Sequence, residues 1–397
     1  MNRSAVAAWC AGVLSTVALA ACAPGDRPAG RSPGPPAAGP GRSAAPRVAD
    51  TPRCAQLATP APRGFYDRGS QSYADTGDAR AAWAAAAPPD AGLDPARLAA
   101  AGDWLAARPG ARALLVARHG ALAYERYFGD ASAARSYNVH SASKSILQAL
   151  VGIAAAQGRL ALDAPVSRYL PAQAPPGSPA GAVTVGALLR MSSGLRWRED
   201  ATEERVAEAD DWVGAILRMP AAPGAGFRYS TGNTHVLSAV LQAATGSSTC
   251  AFAFTHLFAP LGIAPERWTR DPQGVYAGGY NMYLTARELA RFGQLYLSGG
   301  RWGGTQLVPA DAVVQSRAVT ATDVGQPGYG YSAGWWTTTA GGHAVQVAWG
   351  YGGQFVCVVP DLDLVVTATQ RPRGDGTEQR EADIRAFLEH YVLPAVR

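Results

Sequence analysis

The sequence predicts an α+β domain, an antiparallel sheet flanked by helices with a mainly helical lobe inserted into it. Three observations predict it. Strand patterns cluster at both ends of the foldable region, at residues 113–117 and 122–127 and again at 332–338, 344–349, 354–359 and 364–369. Helical patterns fill the interval, at 185–191, 211–219, 231–245 and 285–298. Tight turns such as His119-Gly120 join the strands, which suits antiparallel pairing. Early and late strands then share one sheet covered by terminal helices. The expected sheet lobe is 80–140 with 275–397, the helical lobe is 141–274, and the cleft between them is the expected site.

Taken in order, the chain opens with Arg3 and a short apolar stretch at 5–20 that ends in Leu19-Ala20-Ala21-Cys22. This reads as an export signal over 1–21, too short for a comfortable membrane span, and its end resembles a bacterial lipobox. The resemblance implies cleavage before Cys22 and lipid attachment to it. Residues 22–53 are rich in Pro, Gly, Ala, Ser and Arg and form the expected tether. After an irregular stretch at 55–85, Asp94-Pro95 is an N-cap followed by proline at the first helical position, starting a helix to about residue 108. A second helix opens at Ser141, runs apolar to 156 and stops at Gly158. A last helix spans 378–392.

Composition narrows the function. Residues 1–53 hold six arginines against two aspartates, so nearly all of the +5 net charge lies in the leader and tether. A folded part without a basic patch argues against nucleic-acid binding, and any membrane contact is through the lipid anchor only. The histidines are scattered and no H-E-x-x-H occurs, so no metal or cofactor is expected. Cys54, Cys250 and Cys357 allow one disulfide, with Cys54–Cys250 preferred. Cys357 lies in the apolar run 355–359 and reads as a core thiol.

Lys144 is the only lysine in the chain, and it stands three residues after Ser141. Arginine stays protonated at any physiological pH, whereas burial can tune a lysine down until it accepts a proton. A lysine one turn beyond a serine at a helix N-terminus can activate that serine as a nucleophile. Two further segments fit this chemistry. Tyr229 stands before a helix, in Gly226-Phe227-Arg228-Tyr229-Ser230-Thr231-Gly232-Asn233, where a phenol could relay a proton. Trp349-Gly350-Tyr351-Gly352-Gly353-Gln354 feeds a strand whose backbone could approach a substrate.

Together with 188–195 and with Gly279-Tyr280-Asn281-Met282 and Thr285-Ala286-Arg287-Glu288, these motifs resemble the serine β-lactamase-like superfamily, class C branch, over roughly residues 80–395. That branch includes esterases, D-aminopeptidases, D-alanyl-D-alanine carboxypeptidases and 6-aminohexanoate-oligomer hydrolases. The resemblance implies Ser141 as nucleophile, Lys144 as its base, Tyr229 as proton relay, and the amides of Ser141 and Gln354 as oxyanion donors. It places Tyr351-Gly352-Gly353 at the family's Lys/His-Thr-Gly position and implies Trp197 and Asn233 beside the substrate. The chain departs from the pattern twice. Thr231 occupies the usual asparagine position two residues after the tyrosine, and Tyr351-Gly352-Gly353 carries no cation. The implied function is a serine hydrolase that cleaves a small ester or amide through an acyl-enzyme, on the esterase and 6-aminohexanoate-dimer hydrolase side of the family. The alternatives are D-Ala-D-Ala carboxypeptidase or β-lactamase activity, and an envelope sensor that acylates without turnover.

Gly330-Tyr331-Ser332-Ala333-Gly334 also fits the G-x-S-x-G pattern of α/β-hydrolases, with Asp361, Asp363 and His390 following in order. A strand pattern follows it where that motif needs a helix. The acidic stretch with Glu199, Asp200, Glu203, Glu204, Asp210 and Asp211 reads as a solvated loop bordering the substrate entrance.

Overall fold

The computed structural model describes residues 48, 50–58, 72–74, 83–199, 201–372 and 382–397. The expected leader, the lipid-attachment residue Cys22, most of the tether and the first residues of the expected C-terminal helix lie outside this set.

Seven strands form one antiparallel sheet: β1 (Ala111–Arg118), β2 (Ala121–Tyr127), β3 (Tyr329–Ser332), β4 (Trp335–Ala340), β5 (His343–Gly350), β6 (Gln354–Val359) and β7 (Leu364–Gln370). Their spatial order is β2-β1-β7-β6-β5-β4-β3, so the chain's last strand pairs with its first. This is the α+β arrangement the strand pattern predicts. β6 and β7 are buried along their whole length because helices cover both faces. The stretch expected as one strand over 332–338 is a hairpin. Ala333-Gly334 turns the chain, with Gly334 at φ +70°, a conformation that glycine adopts without steric cost.

Five helices pack in the two cores of the domain: α1 (Pro95–Ala106), α2 (Ser143–Ala156), α3 (Thr231–Thr245), α4 (Ala286–Leu297) and α5 (Ala382–Phe387). Asp94 caps α1 by accepting from the Ala96 and Arg97 amides at 2.9 and 3.2 Å. Thr285 and Glu288 form a capping box on α4. α4 lies close on the central strands because Gly293 has no side chain. A Cβ there would stand 2.5 Å from Val356 Cγ1 and 2.7 Å from Val365 Cγ1. Leu98 and Leu105 of α1 and Phe387 of α5 bury one face of the sheet, and α2, α3 and α4 belong to the core on the other. A smaller sheet pairs Arg135–Asn138 with Met282–Thr285, which brings two distant loops together behind the start of α2. It escaped the sequence reading because its strands are short.

Cys54 and Cys250 form a disulfide, and Cys357 is a buried free thiol on β6. The bond closes a loop of sequence separation 196. Among the described residues no helix is long and apolar enough to cross a membrane. Reduction, or the double change Cys54→Ser with Cys250→Ser, is expected to lower thermal stability by about 2–5 kcal/mol through the freed unfolded chain, measured as the shift in melting temperature.

Candidate active site

Ser141 sits in a single 3-10 turn, His140–Ala142, that leads into α2. The turn is held in an uncommon shape. His140 has φ +47°, a left-handed backbone that costs a non-glycine residue about 1–2 kcal/mol. The Asn138 side chain offsets this by accepting from the His140 amide at 2.9 Å while donating to Asn281 Oδ1 at 3.2 Å. The Val139 amide donates to the Met282 carbonyl at 2.9 Å, so the small sheet carries the turn from behind.

Lys144 is one helical turn on and buried. Its Nζ donates to Ser141 Oγ at 2.8 Å, to Thr231 Oγ1 at 2.9 Å and to the Gly279 carbonyl at 2.9 Å. Burial lowers its pKa from 10.5 to about 8, and the carboxylates of Glu199 and Glu203 oppose part of that shift. Gly279 is required by proximity, since a Cβ there would stand 2.5 Å from Lys144 Cγ. Tyr229 places its ring centroid 5.1 Å from Lys144 Nζ, stacks on Trp336 at 5.5 Å and meets Tyr331 edge-on at 6.1 Å. Ser141, Lys144 and Tyr229 therefore come together, on a turn, a helix and the loop before α3.

Several other expected site residues are placed differently. Asn233 is fully buried, accepts from Ser193 Oγ at 2.8 Å and turns its amide toward Leu188 and Met191. It braces the 188–195 loop, and Thr231 takes the position facing Lys144. Trp197 is also buried. It packs beneath Gly232, where a Cβ would stand 2.5 Å from its ring, and donates Nε1 to Glu199 at 2.7 Å, so it forms the floor beneath the start of α3. Gly352 and Gly353 form the turn between β5 and β6 with φ +73° and +87°, and Cβ atoms on them would meet Pro372 and Gln370. Gln354 pairs with Gly350 across that hairpin and is buried, with Nε2 donating to the Gln370 carbonyl at 2.5 Å. Gly350 abuts the Ser141 turn closely: a Cβ there would collide with the Val139 carbonyl and stand 3.2 Å from the Ala142 amide. Tyr351 follows it, half-buried, with its ring 5.4 Å from that of His140.

Ser332 is no rival nucleophile. It is fully buried and its hydroxyl donates to the carbonyls of Gln315 at 2.6 Å and Ala318 at 2.8 Å. Asp361 and Asp363 pair with His343 and His119 on the surface. The acidic stretch is not all solvated: Glu203 is buried and Glu199 bonds to Thr231. Thr231, Glu199 and Gly279 are the site residues that sequence reasoning missed. The glycine left a signal in the Gly279-Tyr280-Asn281-Met282 motif, and Thr231 left one as the residue standing at the usual asparagine position after Tyr229. Among the described residues no cluster of His, Cys, Asp or Glu could hold a metal.

This geometry permits one chemical act directly, transfer of the Ser141 proton to a neutral Lys144 amine beside a helix N-terminus. A family model described as Beta-lactamase matches residues 95–389. Esterase EstB of Burkholderia gladioli is 32% identical over 175 residues, covering 38% of this chain and 44% of that protein. The 6-aminohexanoate-dimer hydrolase of Paenarthrobacter ureafaciens is 28% identical over 252 residues, covering 57% of this chain and 64% of that protein. The matches thus span less than two thirds of either relative. Among solved structures, a D-stereospecific amidohydrolase from Streptomyces superposes with a TM-score of 0.59 at 19% identity, covering 74% of this chain and 98% of that one. A penicillin-binding protein from Bacillus halodurans does so with a TM-score of 0.58 at 15% identity, covering 74% and 99%.

Because folding lowers the Lys144 pKa to about 8, the unfolded chain binds one more proton than the folded chain between about pH 8 and 10.5. Stability of the wild type relative to Lys144→Met is expected to rise by about 3 kcal/mol across that window, read from denaturant titrations at stepped pH.

Proposed function

Since the chain belongs to the Beta-lactamase family, we propose that it is a serine hydrolase that cleaves ester or amide bonds through an acyl-enzyme on Ser141. The observation that carries this reading is the 2.8 Å contact between Ser141 Oγ and the buried Lys144 amine, beside the Tyr229 ring. In the proposed reaction Ser141 Oγ gives its proton to Lys144 Nζ and bonds to the substrate carbonyl carbon. The carbonyl oxygen takes the electron pair, stabilised by backbone amides of the Ser141 turn and of the abutting strand end at Gly350–Gly352. Tyr229 protonates the leaving group as its bond to carbon breaks and recovers a proton from Lys144. Water then attacks the acyl-enzyme by the same proton path, releasing the acid and restoring Ser141.

The substrate class follows from what surrounds the nucleophile. Tyr229, with Trp336 stacked on it, and Tyr351, beside His140, are half-buried aromatics next to the Ser141–Lys144 pair, and the Tyr351-Gly352-Gly353 turn has no cation to pair with a substrate carboxylate. This favours esters and amides with apolar acyl groups over penicillins and D-Ala-D-Ala ends, which carry a carboxylate. The names of the two curated relatives, an esterase and a 6-aminohexanoate-dimer hydrolase, support the same side of the family. Arg3, the apolar stretch and Cys22 support an exported, lipid-anchored protein.

Purified protein is expected to hydrolyse p-nitrophenyl esters or 6-aminohexanoate dimer and to leave nitrocefin almost untouched. Ser141→Ala should lose at least about a thousandfold in kcat/KM, and retained activity in that variant would remove the proposal. Lys144 must be neutral to accept a proton, so kcat/KM should rise with pH through about 8. For the anchor, Cys22→Ser is expected to move the expressed protein from the membrane fraction to the soluble fraction. Unchanged partitioning would exclude lipid attachment at that residue.

A further inference from the structure

We propose that Glu199 is a positioning residue of the active site: through the Thr231 hydroxyl it dictates which way the Lys144 lone pair faces. The inference rests on the Ser141–Lys144 reading above and deepens it. The geometry is a continuous chain. Glu199 Oε1 accepts from Trp197 Nε1 and from the Thr231 amide, both at 2.7 Å, which fixes the carboxylate against the start of α3. Its Oε2 accepts from Thr231 Oγ1 at 3.1 Å. Thr231 Oγ1 accepts in turn from Lys144 Nζ at 2.9 Å.

Donor and acceptor counting gives this chain a direction. A carboxylate can only accept, so the single proton of the Thr231 hydroxyl points to Glu199. Thr231 then presents only lone pairs to Lys144. The Gly279 carbonyl, at 2.9 Å, can also only accept. A neutral lysine amine has two N–H donors and one lone pair. With both donors taken by Thr231 and Gly279, the lone pair is left facing Ser141 Oγ at 2.8 Å, where a base needs it. A glutamine at position 199 breaks this arrangement. Its carbonyl can still serve the Thr231 amide and Trp197, but its amide nitrogen would donate to Thr231 Oγ1. The Thr231 proton would swing toward Lys144 and compete with Ser141 for the lone pair.

The charge of Glu199 has a second effect. Around Lys144 stand Ser141 from its own turn, Tyr229 and Thr231 from the start of α3, the carboxylates of Glu199 and Glu203, and the Gly279 carbonyl. Behind Gly279, Tyr280 bonds to His235 Nδ1 at 3.1 Å, and His235 Nε2 bonds to Asp271 at 3.0 Å. Glu199 is the larger of the two carboxylate influences that keep the Lys144 pKa up against burial. Removing its charge therefore lowers that pKa further.

The test is the pH profile of kcat/KM for Glu199→Gln beside wild type, with p-nitrophenyl acetate as probe and melting temperature measured in parallel. The acid limb is expected to move to lower pH by about one unit, and kcat on the plateau to fall about tenfold. A carboxylate that caps α3 and acts on Lys144 by its charge alone would move the limb and leave the plateau kcat in place. Thr231→Val should lose rate comparably, and Thr231→Ser should recover most of that loss because it keeps the hydroxyl. A folded Glu199→Gln enzyme with an unchanged plateau kcat overturns the proposal wherever its limb lies, as does a limb that moves to higher pH. Should Glu199→Gln fail to fold, the Thr231 pair decides: full rate in Thr231→Val overturns the proposal. Activity that survives Ser141→Ala would instead sink the underlying reading, whereas Ser141-dependent activity indifferent to position 199 sinks only this one.

Discussion

The site depends on one constraint: an amine must be kept out of water without being abandoned by polar partners. Lys144 is 2% exposed, and an unpaired ammonium at such a position would be prohibitive. The surrounding structure answers that demand from three directions. The 3-10 turn leading into α2 supplies Ser141, the first residue of α3 supplies Thr231, and the loop before Met282–Thr285 supplies the Gly279 carbonyl. Gly279 lacks a side chain because the lysine stem occupies the space one would fill. The left-handed His140 belongs to the same solution, since the turn it makes sets Ser141 at the mouth of α2, with Asn138 and Asn281 bracing it.

The parts of this arrangement that were legible in the sequence are those set by local spacing. Ser141 and Lys144 lie one helical turn apart, and that distance survives whatever tertiary structure surrounds them. Thr231–Thr245 was readable for the same reason, with Ser230 capping the Asn233 amide and Gly246 closing the helix. Asn233 was misplaced because the helix begins at Thr231. Two residues along a helix is roughly 200° of rotation, so Thr231 and Asn233 face nearly opposite ways. One reaches Lys144 and the other Ser193. Gln354 was expected through its backbone amide. It opens β6 opposite Gly350 of β5, and both strands lie against the Ser141 turn, while its side chain turns to the Gln370 carbonyl. Glu199 could be read only as one member of an acidic stretch at the edge of the substrate entrance, with no role of its own. Its contact with Thr231 spans 32 residues, and it stands among acidic neighbours whose composition suggests only solvation.

The large sheet was legible as a pattern and not as an order. Alternation and β-branched runs mark 354–359 and 364–369 as strands, but nothing local dictates that β7 closes onto β1. That pairing follows from burial. β7 is buried along its length, so it lies inside the sheet between β6 and β1, and β1 is buried through its middle. Placing β5 toward the opposite side then brings its C-terminal end, Gly350, against the Ser141 turn.

Burial and the two carboxylates act on Lys144 in opposite senses, and their balance sets what the amine can do. Desolvation is the larger effect and pulls the pKa down. Left unopposed in a fully buried site it can carry a lysine to about 5 or 6, where the amine is neutral at any working pH but is a weak base. Glu199 and Glu203 hold the value near 8. An amine there is neutral in a useful fraction near pH 7 to 8 and still basic enough to draw a proton from a serine hydroxyl. Two acids beside a required base look like an error in the sequence. In the folded protein they keep burial from weakening that base.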